Sequence, residues 1–139
     1  MTLGMSTALR TSRGTQTLNA LDANASAGFI EIYSGTRPAT GAAIGAAVLL
    51  ATCTLSKPSG VVSNGVNTFN AISNGTGTAG AAGGTTATWC RFKDGSGAFV
   101  QDGSVSATGG GGDIQLNSVV IATSQTVQVT SGTITEGNA

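Results

Sequence analysis

Thr85-Thr86-Ala87-Thr88-Trp89-Cys90-Arg91-Phe92-Lys93, then Asp94-Gly95-Ser96-Gly97, then Ala98-Phe99-Val100-Gln101-Asp102-Gly103-Ser104-Val105 is the stretch that decides the fold class. Two runs of β-branched and aromatic residues flank four turn-forming residues, which is the pattern of a β-hairpin. The charges of this stretch lie in or near the turn, and its first arm carries the only Trp of the chain. Nothing in it is equipped for acid–base or nucleophilic work. It reads as a piece of β-sandwich.

The same grammar extends in both directions. Residues 28–34 alternate, with Ile30 and Ile32 on one side and Glu31 and Tyr33 on the other, until Pro38 ends the run. Residues 48–56 place Leu49, Ala51, Cys53 and Leu55 on one face, before Lys57-Pro58-Ser59-Gly60 stops them. Asn64-Gly65 is a strong short turn signal, and a strand is expected over 67–72. Residues 74–84 and 108–112 are Gly-rich loops. Strands follow over 113–121 and 126–135, with Gly132 breaking the alternation of Val127 and Val129 so that a bulge is expected there. Residues 1–13 read as a polar N-terminal arm. Leu18 and Leu21 allow a short helix ending near Asn24.

The expected fold is therefore all-β, a single-domain antiparallel β-sandwich of seven or eight strands spanning 14–139 behind the 1–13 arm. Spacing alone does not choose between jelly-roll and immunoglobulin-like topology. The usual Cys–Trp–Cys order is missing, which weighs against the second, so a jelly roll is expected.

Composition narrows the function. Charged residues make up 9% of the 139, six basic and six acidic, against about a quarter in an average soluble protein. Thr, Ser, Asn and Gly supply the hydrophilicity. Nucleic-acid binding needs clustered Lys and Arg to release counterions, and none are clustered here. The most apolar run, 42–55, is too short to span a bilayer, and neither a secretion signal nor a lipid-attachment site is expected. There is no His, so a zinc site and a His-based nucleophile are both out of reach. Cys53 and Cys90 fall inside strand-like runs and are expected to be buried, reduced thiols.

Four sharper motifs yield to plainer explanations. Gly75-Thr76-Gly77-Thr78-Ala79-Gly80 has the glycine spacing of a dinucleotide fingerprint, yet no room for the helix that would meet a pyrophosphate. Asp94, Ser96 and Asp102 offer too few anionic oxygens for calcium, and a turn Asp capping its own backbone accounts for them. Lys93 beside Asp94 reads as an ordinary surface pair. No two of Asp22, Glu31, Asp94, Asp102, Asp113 and Glu136 are marked as a hydrolytic pair. Trp89 and Tyr33 could stack on a sugar, although core packing is the simpler role for Trp89. No enzyme, cofactor or metal is expected.

Segments 29–40, 49–58, 87–105 and 111–117 together resemble the small decoration or cement proteins of tailed bacteriophages. The likeness spans nearly the whole of 9–135. It implies a jelly roll that sits outside an icosahedral head and staples neighbouring major capsid subunits. On that likeness the partners would be the major capsid protein and a second or third copy of the chain, with neither nucleic acid nor membrane involved. The place would be the outer capsid surface of a virion assembled in bacterial cytoplasm. The residues expected to grip the partner are Leu3, Met5, Leu9, Arg10 and Arg13 of the arm, with Arg37. The competing expectation is a tail or surface sandwich that binds host glycan through Tyr33 or Trp89.

Overall fold

A computed structural model describes residues 4–137. Ser6 caps the one α-helix among the described residues, its hydroxyl accepting from the Leu9 backbone N–H at 3.2 Å, and α1 runs over Thr7–Leu21. After it come β1 (Phe29–Ser34), β2 (Val48–Thr54), β3 (Gly60–Ser63), β4 (Val66–Phe69), β5 (Gly75–Thr76) and the short 3-10 turn Ala79–Ala81. The chain continues with β6 (Thr85–Thr86), β7 (Trp89–Lys93), β8 (Phe99–Ala107), β9 (Ile114–Leu116), β10 (Val120–Ile121), β11 (Thr126–Val127) and β12 (Val129–Thr135).

Eight strands form one sheet in the order β2-β1-β7-β8-β9-β12-β4-β3. The sheet curls. The chain leaving β4 reaches round so that Ile72 bridges to Leu55 just beyond β2, and the Ser73 N–H donates to the Thr54 carbonyl at 2.8 Å. Two short ribbons, β5–β11 and β6–β10, lie against the sheet. Ile30, Ile32, Cys53, Cys90, Phe92, Ile114 and Leu116 line its inner face, and they meet Ala81, Ala87, Ile121 and Val127 of the ribbons and Leu18 and Leu21 of α1 in one core. Phe69 and Phe92 stack inside it with centroids 5.4 Å apart. Cys53 and Cys90 are free and buried, and burial pushes both thiols up from their ordinary pKa.

The mainly β expectation stands, and four details are corrected. The sheet is mixed, because β8 and β9 run parallel, with Val105 opposite Ile114. Parallel neighbours normally need a long crossover. Here the Gly-rich loop doubles back: the Gln115 side chain accepts from the Gly109 N–H and donates to the Gly110 carbonyl, while the Ser106 hydroxyl accepts from the Gly112 N–H. A Cβ on Gly112 would stand 2.7 Å from the Ser106 nitrogen, so only glycine permits the return. In β2, one extra residue at Leu50 shifts the register, and both Leu50 and Ala51 are buried while Leu49 is not. The bulge expected at Gly132 falls two residues earlier, between Val129 and Ser131.

The fourth correction concerns the N-terminus. The boundary expected at residue 13 falls inside α1, whose first half is Thr7 to Arg13. Thr, Ser and Gly are weak helix formers, so the helix depends on docking. Gly14, Leu18 and Leu21 form its buried face, which packs on β3 and β4. The Lys57 ammonium donates to the carbonyls of Asp22 and Asn24, a favourable place for a cation at a helix C-terminus. The Asp22 carboxylate in turn accepts from the Ser59 N–H at 3.0 Å.

Gly14 sets how closely helix and sheet approach. A Cβ there would stand 2.3 Å from Asn67 Oδ1 and 2.8 Å from Val62 Cγ2. Asn67 is fully buried, and its amide has no hydrogen-bond partner. On an exposed helix Gly14→Ala would gain about 1 kcal/mol. In this fold the clash reverses the sign. We expect Gly14→Ala to lower the thermal midpoint measured by circular dichroism, and a higher midpoint would contradict the tight helix–sheet contact.

Candidate functional site

The residues expected to grip a partner do not form one site. Leu3 lies outside the described residues. Leu9 is 49% exposed on α1, and Met5, just before the helix, lies 3.1 Å through its sulfur from Arg13 Nη1. Arg10 and Arg13 both reach Glu136 near the end of β12, and the Arg13 side chain stays 54% exposed while doing so. Arg10 Nε donates to the Glu136 carbonyl at 3.1 Å, and Arg13 Nε lies 3.5 Å from the Glu136 carboxylate. Arg13 thus has a carboxylate within its own chain, whereas Arg10 meets only a backbone carbonyl. Arg37 is exposed in the loop after β1. That loop follows one end of the sheet order, while α1 packs on β3 and β4 at the other.

The richest cluster of polar side chains is on the outer face of β1, β7 and β8. Period-two geometry puts Glu31 and Tyr33 of β1 on this face with Trp89, Arg91 and Lys93 of β7. Register sets Glu31 opposite Arg91 and Arg91 opposite Asp102. Arg91 binds Asp102 with two parallel hydrogen bonds, Nε to Oδ1 at 2.7 Å and Nη2 to Oδ2 at 2.9 Å. Their side chains are 6% and 3% exposed. The bonds to Asp102 push the guanidinium still further above its ordinary pKa. Arg91 Nη1 donates to the Ala42 carbonyl at 2.9 Å, which ties the 35–47 loop over the sheet, and the guanidinium lies 4.9 Å from the Phe99 ring centre.

Tyr33 and Trp89 stack with centroids 4.6 Å apart and planes inclined by 12°. They are 5% and 2% exposed. Trp89 is thus buried, as the sequence implied, but on the face opposite Cys90 and Phe92 and outside the main core. Its indole N–H has no partner. The Tyr33 hydroxyl donates to Glu31 Oε2 at 2.6 Å, and Lys93 Nζ lies 2.9 Å from the same oxygen. Burial first, and then the Glu31 carboxylate, push the phenol well above its ordinary pKa. Lys93 therefore pairs with Glu31 across the strands, not with Asp94 as expected. Asp94 caps its own turn, accepting from the Ser96 hydroxyl and from the Ser96 and Ala98 N–H groups. These contacts, the hydroxyl foremost, hold its carboxyl below the usual range.

This arrangement is closed on itself. Glu31, Arg91, Lys93 and Asp102 each have a counter-charge within reach, and the stacked rings are too buried to offer a platform to a sugar. Among the described residues no group of three or more His, Cys, Asp or Glu is placed to hold a metal ion. A groove of about 230 Å³ lies elsewhere, where β12 and the chain beyond β4 diverge, lined by Phe69, Ile72, Val129 and Gly132 among others. It carries no charged side chain. No protein-family model, curated protein or solved structure matches the chain.

The buried ion pair makes a sharp prediction. Arg91→Met alone strands the Asp102 carboxylate and should cost about 3–5 kcal/mol. Arg91→Met with Asp102→Leu removes both charges and should recover most of that loss. Urea unfolding of the wild type, both single variants and the double variant measures the coupling. Additive losses would show that the pair does not act as a unit.

Proposed function

We propose that the protein is a structural component of a phage particle, a decoration protein that binds the outside of an icosahedral head and staples neighbouring major capsid subunits. The observation that carries this reading is where the charges go. Arg91 with Asp102, Lys93 with Glu31, and Arg13 with Glu136 neutralise one another within the chain. Much of the outward surface then consists of Thr, Ser, Asn, Gly and Ala on a curled sheet. Such a surface works by area and shape. The resemblance of 29–40, 49–58, 87–105 and 111–117 to phage cement proteins points the same way.

The finer description as a jelly roll belongs to this reading, with the curled sheet as one layer and the β5–β11 and β6–β10 ribbons contributing the other. So do self-association, as a dimer or trimer, and assembly in the bacterial cytoplasm, where buried thiols such as Cys53 and Cys90 stay reduced. Each copy would cover a standard interface of ~800 Å² per partner. Many such contacts add up to resistance against the pressure of packaged DNA.

Copy number decides the matter. Quantitative mass spectrometry of purified particles of the phage encoding this chain should find it in a stoichiometry comparable to that of the major capsid subunit. A handful of copies per particle, fractionating with tails, would contradict the proposal.

A further inference from the structure

Two stretches of the sequence, residues 58–90 and 114–135, contain no Asp, Glu, Lys or Arg. Together they exceed a third of the chain, where an average soluble protein would place one charge in every four residues. The fold brings them together. Thr76 of β5 pairs with Thr126 of β11, and Thr86 of β6 with Val120 of β10. The Thr123 N–H donates to the Ala82 carbonyl at 2.9 Å, and the Thr78 N–H donates to the Leu50 carbonyl at 2.8 Å, seating the assembly against β2.

The result is an uncharged surface around the 79–84 turn, with an exposed valine on either side. A Cβ on Gly80 would stand 2.7 Å from Val48 Cγ1, and one on Gly84 3.2 Å from Val120 Cγ1. Val48 and Val120 are 41% and 51% exposed. At the centre, the Gly84 N–H closes a turn on the Ala81 carbonyl at 3.1 Å. Ala82 takes its first corner at φ 43°, ψ −129°, a conformation for which glycine is the default. Gly83 follows at once, so a strain-free corner was one residue away. The chain instead holds a methyl group outward at the tip of the turn.

We propose that this end of the molecule, from Val48 across 79–84 to Val120 and Thr123, is its docking surface, and that it covers an equally uncharged patch on the capsid subunit. The proposal rests on the capsid reading and names the face that reading needs. Depletion of charge marks the buried centre of protein interfaces. Nucleic acid and anionic lipid both require cations, which these stretches do not supply. A charged protein patch would have to shed its water against groups that offer no counter-ion, and that is costly. An uncharged partner surface, rich in small and hydroxyl side chains, is the one that fits. Val48 and Val120 act as apolar anchors, with the Ala82 methyl between them.

Gly83 makes the test clean. A Cβ there meets nothing within 4 Å, and its φ is one that L-residues adopt, so Gly83→Arg should leave the fold intact. Gly111 in the loop between β8 and β9 is equally open and serves as control. The probe is heads of the phage encoding this chain, assembled without it, with bound protein read by co-sedimentation and folding by thermal melting. Gly83→Arg should melt like wild type and bind roughly tenfold or more weakly, while Gly111→Arg does both as wild type. Ala82→Gly should melt higher, because its strain is gone, and bind more weakly. Gly83→Arg binding as tightly as wild type would overturn the surface and leave the capsid reading standing. Wild type that fails to bind the heads at all would sink the capsid reading itself. Gly83→Arg that splits a wild-type dimer while still binding heads would assign the surface to a second copy and also overturn the proposal.

Discussion

The Arg91–Asp102 pair, bidentate at 2.7 and 2.9 Å and almost out of solvent, is the contact on which the outer side of the sheet depends. The 35–47 loop is mostly Ala, Gly and Thr and has little of its own to pack with. Arg91 reaches it through the Ala42 carbonyl, and the Asp102 carboxylate accepts from the Gly41 N–H at 3.5 Å. The same guanidinium lies 5.5 Å from the Trp89 ring centre, and Trp89 and Tyr33, stacked on each other, are 2% and 5% exposed. A buried ion pair seldom adds net stability over apolar neighbours of the same shape. Its value here is that it fixes one position for a loop that otherwise has many.

The same economy of ions organises the rest of the molecule. Six basic and six acidic residues serve 139 positions. Four of them close the outer face of β1, β7 and β8, and Arg10, Arg13 and Glu136 bind the start of α1 to the end of β12. Asp22 and Lys57 secure the other end of the helix. The turn around Ala82 receives none. A surface without ions has no long reach and no preference for charged partners, and it holds what it touches by area, shape and hydroxyl contacts. That is the physical profile the proposed attachment to a capsid subunit calls for.

Much of the sheet was legible in the sequence because its signals are local. Ile30 and Ile32 alternate against Glu31 and Tyr33, Asn64 and Gly65 both take the positive φ that a tight hairpin demands, and Asp94 caps its own turn. The features that the sequence hid are long-range. α1 has a weak helical composition and is held by Gly14 against Asn67 and by Lys57, more than thirty residues past its end. Arg10 and Arg13 look like free cations until Glu136 arrives from the far terminus. Trp89 has the parity of an exposed residue, yet it is 2% exposed, stacked on Tyr33 and beside the Arg91 guanidinium that Asp102 holds in place. The parallel β8–β9 contact depends on Gln115 and Ser106 folding a glycine loop onto itself, which no periodicity records.

In the proposed attachment an uncharged surface, and not the arginines, makes the grip. Salt separates the two, because exposed ionic contacts are screened within about 10 Å at 0.1 M ionic strength and within about 3 Å at 1 M, whereas apolar and hydroxyl contacts are not. The affinity of the intact chain for heads assembled without it should therefore be measured from low to molar sodium chloride. The curve should be flat or rise slightly with salt. Affinity that falls steadily as salt is added would contradict it and return the grip to Arg10, Arg13 and Arg37.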